Sequence, residues 1–483
     1  MDYRDYIEIL RQEGLLLEIE EEVSWNLEAP CISAMNYRVE NGQKSHVFNN
    51  VKGYEGKGRL LGSPFASPKK QAWERASIIF GLPKDTPWNV FRDEFIRRLG
   101  HPLKPIVVEA GDATCKQNIV MGKDVNLFDF PWPFIHQSDG GRYGTLQTHI
   151  IEDPDTGWVN WGNYRMMIVK KNLMTALMVP VQHGPGIFYA KYEARGNPAP
   201  FVYAVGGDPI INFAAGTTLP SGVCEADYAG GFRQEPMKVV RAETNKLYVP
   251  ADAEIIIEGV MLPNEKLDEG PQGEYTGYVH GRAPMPVMQI HCITYRDDPI
   301  IPYVVGGNTF SDEQALCQAM SPVEVYRNLH EAGFPVTNVR FLTELLWDGL
   351  VISTDVPYAG YVNDLRAYIE SHKIDLWGNQ RIIVDSDVNI EDEDTMYRIY
   401  QEMGTRIDPQ RDILRGDADV LATPLTPLVN AEGRQKGIGQ VNLTWDCTTP
   451  LNWKTGDKKQ TVEFKNLYPD NLRDRSKNIF DNL

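Results

Sequence analysis

EIIIEGVM (254–261) and MPVMQIHCITYRD (285–297) are the runs that decide the fold. Both are short, dense in Ile, Val and Met, and bounded by Gly, Pro and Asp, which reads as strand rather than helix. The same texture recurs on either side of them. TLQTHIIED (145–153), MMIVKK (166–171), FVYAV (201–205) and IIPYVV (300–305) are short β-rich runs separated by Gly, Pro, Asp and Asn. Strands at that spacing, between about Asn118 and Val305, predict a barrel or sandwich. The stretch GIFYAKYEARGN (186–197) interrupts them as a helical insertion.

The flanks differ. Tyr3, Tyr6, Ile7 and Leu10 follow the i, i+3, i+4, i+7 spacing of a buried helical face, with Gly14 as its stop. LLLEIEEEV (15–23) then reads as a strand, and the segments around Arg59–Gly62 and Ile106–Glu109 extend mixed α/β character to about residue 115. Helices return after about 310. Ser321-Pro322-Val323-Glu324 reads as a capping box with proline at the first helical position, closed by Gly333. RIIVDSD (381–387) reads as a buried strand, followed by a helix with Met396, Ile399, Tyr400 and Met403 on one face. The polar tail from Trp453 reads as a late helix. The expected organisation is 1–117, 118–310 and 311–483, with α/β units around a β-rich centre.

With 483 residues and 42% hydrophobic content, the chain can bury large cores. A net charge of −18 argues against a nucleic-acid or anionic-membrane partner. It does not exclude a small acid as substrate, because one arginine inverts the field inside a pocket. The charged N-terminus MDYRDYIEILRQEG is not a signal peptide, and no apolar run is long enough to span a membrane. Six cysteines without a C-x-x-C pair predict reduced thiols and a cytoplasmic location.

DEGPQGEYTGY (268–278) places two carboxylates, Glu269 and Glu274, in a backbone constrained by Gly270, Pro271, Gly273 and Gly277. GWVNWGNYR (157–165) offers Asn160 and Arg165 among two tryptophans, and arginine is the planar clamp for a carboxylate. VQHGPG (181–186) carries Gln182 and His183, and LPSGVCEADY (219–228) carries Glu225. Taken singly, each has a bland reading: a solvated arginine, a structural histidine, a glutamate capping the helix that follows. Together, Asn160, His183 and Glu225 make an oxygen-rich set suited to Mn²⁺ or Mg²⁺ rather than zinc, with positions left for a phosphate. Neither a P-loop nor a dinucleotide fingerprint is present; GGDPI (206–210) and AAGTTLPSG (214–222) are the glycine-containing loops able to approach a ligand.

These segments resemble the UbiD-type decarboxylases, the 3-polyprenyl-4-hydroxybenzoate and ferulate decarboxylase-like family. The resemblance runs from EGLLLEI (13–19) through FNNVKGY (48–54), DGGRY (139–143) and YVPADAEIIIEG (248–259) to RIIVDSDVN (381–389) and DCTTP (446–450), and EGPQGEYTGY (269–278) is its strongest marker. It implies a central split β-barrel of the flavin-reductase type, a C-terminal α/β oligomerisation domain and a homodimer or homohexamer. It further implies prenylated FMN, Mn²⁺ and K⁺ as cofactors, with a flavin prenyltransferase as supplier of the flavin. The implied catalytic residues are Arg165, Glu269 and Glu274. Asn160, His183 and Glu225 fall on the divalent-metal ligands; Trp158, Ala214, Ala215, Thr217 and Glu225 fall where the monovalent cation is held. Gly162, Asn163, Tyr164 and Gln182 join Arg165, Thr217 and the metal ligands around the cofactor. One position departs from the family: Asn442 stands four residues before Asp446, where many members carry a basic residue on the cofactor phosphate, and Lys436 is the candidate replacement.

Loss of CO₂ from an sp² carbon needs an electron sink, which the cofactor supplies, and a proton must then replace CO₂ at that carbon. The expected donor is Glu274. Glu269, paired with Arg165, is expected to orient it and to raise its proton affinity. An arginine–carboxylate contact at roughly 4 Å contributes ~4 kcal/mol at an effective dielectric of about 20, before desolvation. The expected reaction is reversible decarboxylation of an aromatic, heteroaromatic or α,β-unsaturated acid, with Tyr275 and residues 306–320 shaping the pocket. The competing readings are a non-catalytic or partner-dependent subunit of a carboxylase complex, and a two-carboxylate hydrolase, which leaves Asn160, His183 and Arg165 without a role.

Overall fold

The computed structural model describes residues 1–39, 43–307, 309–342, 349–374, 380–391, 395–416, 420–421, 430, 432, 439–453 and 467–482. It is a mixed helix-and-strand fold. The β-rich run forms one antiparallel sheet of nine strands, curled into a half-barrel, and not two facing sheets. Across it the order is Arg142–Gly144, Met166–Lys170, Leu173–Ala176, Ala283–Tyr295, Ala253–Glu269, Ala199–Gly206, Gln147–Glu152 and Val159–Asn163, with Asn118–Met121 also pairing to Ala283–Tyr295. The opening runs are its two longest members and are direct neighbours, with Ile257 opposite Ile293. Ile255 and Ile257 point to one side, into a core with Tyr203, Met288 and Trp132. Ile256 points to the other, against Phe213, Val202 and the helices of the N-terminal region. Burial on both faces explains why these runs lack polar alternation.

Ala253–Glu269 is longer than its apolar segment. Beyond Met261 it carries NEKLDE (264–269), a polar sequence that reads as loop; register slips there and Asn264 adopts φ +61°. The extension still pairs up to Glu269 opposite Ala283, so the sheet itself delivers Glu269 to its position.

The N-terminal helix Tyr3–Gln12 buries Tyr3, Tyr6, Ile7 and Leu10 as expected. Leu16–Ile19, Ser45–Phe48 and Arg59–Gly62 form a four-stranded sheet whose last member is Ile300–Tyr303. The later chain thus returns to complete the first sheet. A second, five-stranded mixed sheet holds Val336–Phe341, Gly349–Thr354, Gln380–Asp385, Leu443–Asp446 and Ile413–Arg415.

Two expectations need correction. The helix assigned to start at Ser321 is Asp312–Glu331, with Pro322 in its interior. Its capping box is Ser311 with Gln314, ten residues earlier than the Ser321–Glu324 pattern. Burial of Ala315, Ala319, Met320 and Val323 on this helix outweighs the hydrogen bond that proline forfeits. Residues 312–320, read as a pocket loop, are therefore helix. In the helix Thr395–Arg406, Ile399 is buried, but Tyr400 is 53% exposed and lies off the packed face. The late helix exists as Asp470–Phe480, with none of its residues buried. Among the described residues, no helix is long and apolar enough to cross a membrane.

Candidate active site

Three strands of the half-barrel and one turn bring the carboxylates together. Arg165 sits between Val159–Asn163 and Met166–Lys170, Tyr143 lies on Arg142–Gly144, and Glu269 closes Ala253–Glu269. Arg165 binds Glu269 through two parallel hydrogen bonds, Nε to Oε1 at 2.9 Å and Nη2 to Oε2 at 2.8 Å. Its remaining Nη1 contacts Glu274 Oε1. One guanidinium is thus divided between two carboxylates. Glu269 is fully buried and Glu274 nearly so, so neither charge is stabilised by bulk water. The Tyr143 hydroxyl lies 3.2 Å from Glu269 Oε1. Burial and the Glu269 charge push that phenol well above its usual range, so it remains a donor. His280 Nδ1 stands 3.5 Å from Arg165 Nη2.

The turn between the two glutamates rests on the DGGRY segment. The Gly140 amide donates to the Pro271 carbonyl at 2.7 Å. A Cβ on Gly140 would lie 2.1 Å from the Gly270 carbonyl oxygen, closer than any side chain permits. Gly140→Ala is therefore expected to push the turn off its bed, at a cost of about 1–3 kcal/mol or more. A melting temperature equal to wild type, with unchanged activity, would contradict this packing.

The second cluster lies further along the same strand edge. The Asn160 amide donates to Glu225 Oε1 and the Trp161 main-chain N–H to Glu225 Oε2, both at 2.7 Å. Burial pushes the Glu225 carboxyl up to about 7, against the pull of those two donors. Asn160 Oδ1 is buried and has no hydrogen-bond partner. A Cβ on Gly184, the residue after His183, would sit 2.8 Å from that oxygen. The His183 ring itself turns toward Ser221 Oγ (3.3 Å) and packs edge-on against Trp158. The orphaned Asn160 oxygen and the Glu225 carboxylate are donors of the kind a hard divalent metal takes, while the His183 ring faces Ser221 and Trp158.

The remaining expected residues divide. The Tyr164 hydroxyl accepts from the Gly184 amide at 3.3 Å, Gly162 packs against the Tyr164 ring, and Asn163 Nδ2 donates to the Asn212 carbonyl at 2.9 Å. Ala214, Ala215 and Thr217 form the end of the helix Ile210–Gly216, where Thr217 bonds back to Phe213. The Trp158 indole donates to the Val223 carbonyl, and its main-chain carbonyl accepts from the Asp153 amide. The residue whose main chain reaches Glu225 is Trp161, which sequence reasoning did not single out. A cavity of about 750 Å³ opens beside Trp158, Gln182, His183 and Ser221; Arg165, Glu269 and Glu274 do not line it. Lys436 lies outside the described residues. Tyr143 and Glu313 were also missed. Glu313 is a half-buried acid whose carboxyl desolvation raises to about 7, within the fields of Arg165 and His136. DGGRY was the signal available for Tyr143, and Glu313 lies within residues 306–320, which were expected to shape the pocket.

Both clusters fall within a stretch that matches a known domain. The pattern of the 3-octaprenyl-4-hydroxybenzoate carboxy-lyase N-terminal domain matches residues 7–94, and that of its Rift-related domain matches residues 106–309. The pyrrole-2-carboxylic acid decarboxylase of Pseudomonas aeruginosa is 31% identical over 98% of this chain and 96% of its own. The chain belongs to the UbiD family. As a UbiD-family protein it is a carboxy-lyase by kind, and the half-barrel with its Arg165 cluster falls within the Rift-related match. The vanillic acid decarboxylase of Sedimentibacter hydroxybenzoicus in its closed form superposes with a TM-score of 0.84 at 26% identity, covering 99% of this chain and 98% of that one. A dimeric UbiD-class enzyme from Pelotomaculum thermopropionicum, in complex with prenylated FMN, shares the fold with a TM-score of 0.79 at 23% identity, covering 97% and 99% of the two chains.

Proposed function

We propose that this UbiD-family chain decarboxylates, reversibly, an aromatic, heteroaromatic or α,β-unsaturated carboxylic acid with prenylated FMN as cofactor. The observation that carries the proposal is the sharing of Arg165 between buried Glu269 and Glu274. A structural ion pair needs one carboxylate per guanidinium. A second one is useful where a proton is to be gained and lost, because the trio alternates between net charges of zero and −1.

When bound, prenylated FMN supplies the electron sink for the carbon that releases CO₂. Asn160, His183 and Glu225 would hold Mn²⁺, whose positive charge would offset that of the cofactor phosphate. Gly162, Asn163, Tyr164 and Gln182 would line the flavin, while Trp158, Ala214, Ala215, Thr217 and Glu225 would provide for K⁺. The Arg165–Glu269 fork fixes the angle at which Glu274 faces the substrate. Glu274 delivers its proton to the carbon vacated by CO₂ and recovers one from solvent; in carboxylation it removes that proton instead. Burial keeps water from competing for the same carbon.

The architecture reads as units of 1–117, 118–310 and 311–483, the middle one a split barrel of the flavin-reductase type. Exposure of Leu472, Ile479 and Phe480 on the terminal helix supports a homodimer or homohexamer built through the last unit. A monomeric mass at micromolar concentration would overturn that assembly.

The test of function is co-expression with a flavin prenyltransferase. A flavin-like absorption band should appear only in the co-expressed protein, and that protein should release CO₂ from members of a panel of aromatic and heteroaromatic acids. Cofactor retained without CO₂ release from any acid would favour a partner-dependent subunit.

A further inference from the structure

The segment His136–Tyr143 packs against the turn between the two glutamates, meeting it at Pro271 and Gly273. Asp139 Oδ1 accepts from the Gly273 amide at 3.0 Å, one residue before Glu274. Its Oδ2 accepts from the His136 amide at 2.9 Å and stands 3.3 Å from His136 Nδ1. The other ring nitrogen, Nε2, lies 2.9 Å from the Gly306 carbonyl oxygen. The imidazole is pressed against Gly273, where a Cβ would come within 2.6 Å of Nδ1. Gly306, in turn, lies so near the main chain of Glu274 and Tyr275 that a Cβ on it would stand 3.1 Å from both. His136 therefore spans the two segments that enclose Glu274.

The geometry points to His136 and Asp139 as positioning residues for the proton donor, acting as a clamp that is closed when the imidazole is charged. Both ring nitrogens face acceptors only: a carboxylate at Nδ1 and a carbonyl at Nε2. The imidazolium satisfies both with N–H groups. A neutral ring leaves a lone pair facing one of them and weakens the hold on Gly273 or Gly306. The charged and titratable groups around the ring are Asp139 from its own loop, Glu313 from the helix Asp312–Glu331, and Glu274 beyond Gly273. The Asp139 hydrogen bond and charge, the Gly306 carbonyl and Glu313 outweigh burial and raise the proton affinity of His136. Raised affinity means that the clamp is closed at low pH and opens as pH rises through a folded value above the ordinary 6.5.

This inference rests on Glu274 being the donor, and its test has an arm that does not. In protein labelled at histidine nitrogen, the His136 ring should titrate above 6.5, the ordinary histidine value. In Asp139→Asn its proton affinity should fall by about tenfold or more. A wild-type ring titrating below 6.5, or an Asp139→Asn ring titrating as wild type, overturns the clamp whatever the enzyme's reaction. In the holoenzyme, His136→Gln retains a donor toward Gly306 but has no charge. Its product-proton exchange with deuterated solvent should fall about 10- to 100-fold, the scale of a misplaced reacting group. Flavin content should remain that of wild type, and the alkaline fall of the wild-type exchange profile should disappear. An exchange rate and pH profile equal to wild type overturn the positioning role. If no carboxylic acid turns over in wild type, the proposed function fails, while the ring titration still decides the clamp.

Discussion

Glu274→Gln should abolish delivery of the product proton while leaving the cofactor in place. The amide preserves the volume of the side chain and its contact with Arg165, but carries no acidic proton. Glu274 lies on the turn after Glu269, apart from the Asn160–Glu225 cluster, so flavin and metal content should match wild type. Net decarboxylation should fall by roughly the 10²–10⁴-fold that accompanies lost general acid catalysis. Exchange of the product proton with deuterated solvent should fall in step, since it uses the same group in reverse. Glu269→Gln should behave differently: it removes the partner that accepts two hydrogen bonds from Arg165, so cofactor maturation and substrate placement suffer along with turnover. Wild-type exchange in Glu274→Gln would assign the donor elsewhere.

Glu225→Ala should lose both Mn²⁺ and flavin. Removal of an outer-shell partner of a metal ligand already weakens metal binding by about 10–100-fold, and a direct carboxylate ligand is worth more. Alanine also strands the Asn160 amide and the Trp161 N–H, two buried donors that cost about 1–3 kcal/mol each when unpaired. Glu225→Gln separates the two effects, because it can still accept from Trp161 yet offers no charge to a cation. Elemental analysis and flavin absorbance on both purified variants check the assignment; stoichiometric Mn²⁺ and flavin in either would remove Glu225 from the metal site.

What was legible in the chain follows from what each contact depends on. The helix Tyr3–Gln12 was visible because one spacing rule accounts for all four of its buried residues. The long strands were visible in EIIIEGVM and MPVMQIHCITYRD, but not the continuation of the first to Glu269, since NEKLDE is paired through the backbone and has no apolar face to reveal it. The capping box at Ser321 misled because local signals are silent about which of two candidate starts the tertiary core will bury. Resemblance placed Arg165, Glu269 and Glu274 on one site, and the structure joins all three. It could not disclose that Trp161 holds Glu225 through its main chain, a contact independent of side-chain identity. His136 and Asp139 escaped notice for the same reason: their partners are the Gly306 carbonyl and the Gly273 amide.

The two glutamates are mounted on supports of unequal stiffness. Glu269 ends a 17-residue strand, paired opposite Ala283 and held by two hydrogen bonds from Arg165, so freeing it breaks more contacts than freeing Glu274. Glu274 follows the two-residue strand Gln272–Gly273, paired only with Val279–His280, and the tip of that ribbon leaves Tyr278 and Val279 more than half exposed, at 56% and 54%. Segments of this kind open locally at a small fraction of the global free energy. The jaw that holds charge is fixed, and the jaw that must trade a proton with water once per turnover is the one that yields. In amide exchange, Gly277 should reach deuterium equilibrium long before Glu269, and recharging of the donor inherits the faster of those two clocks.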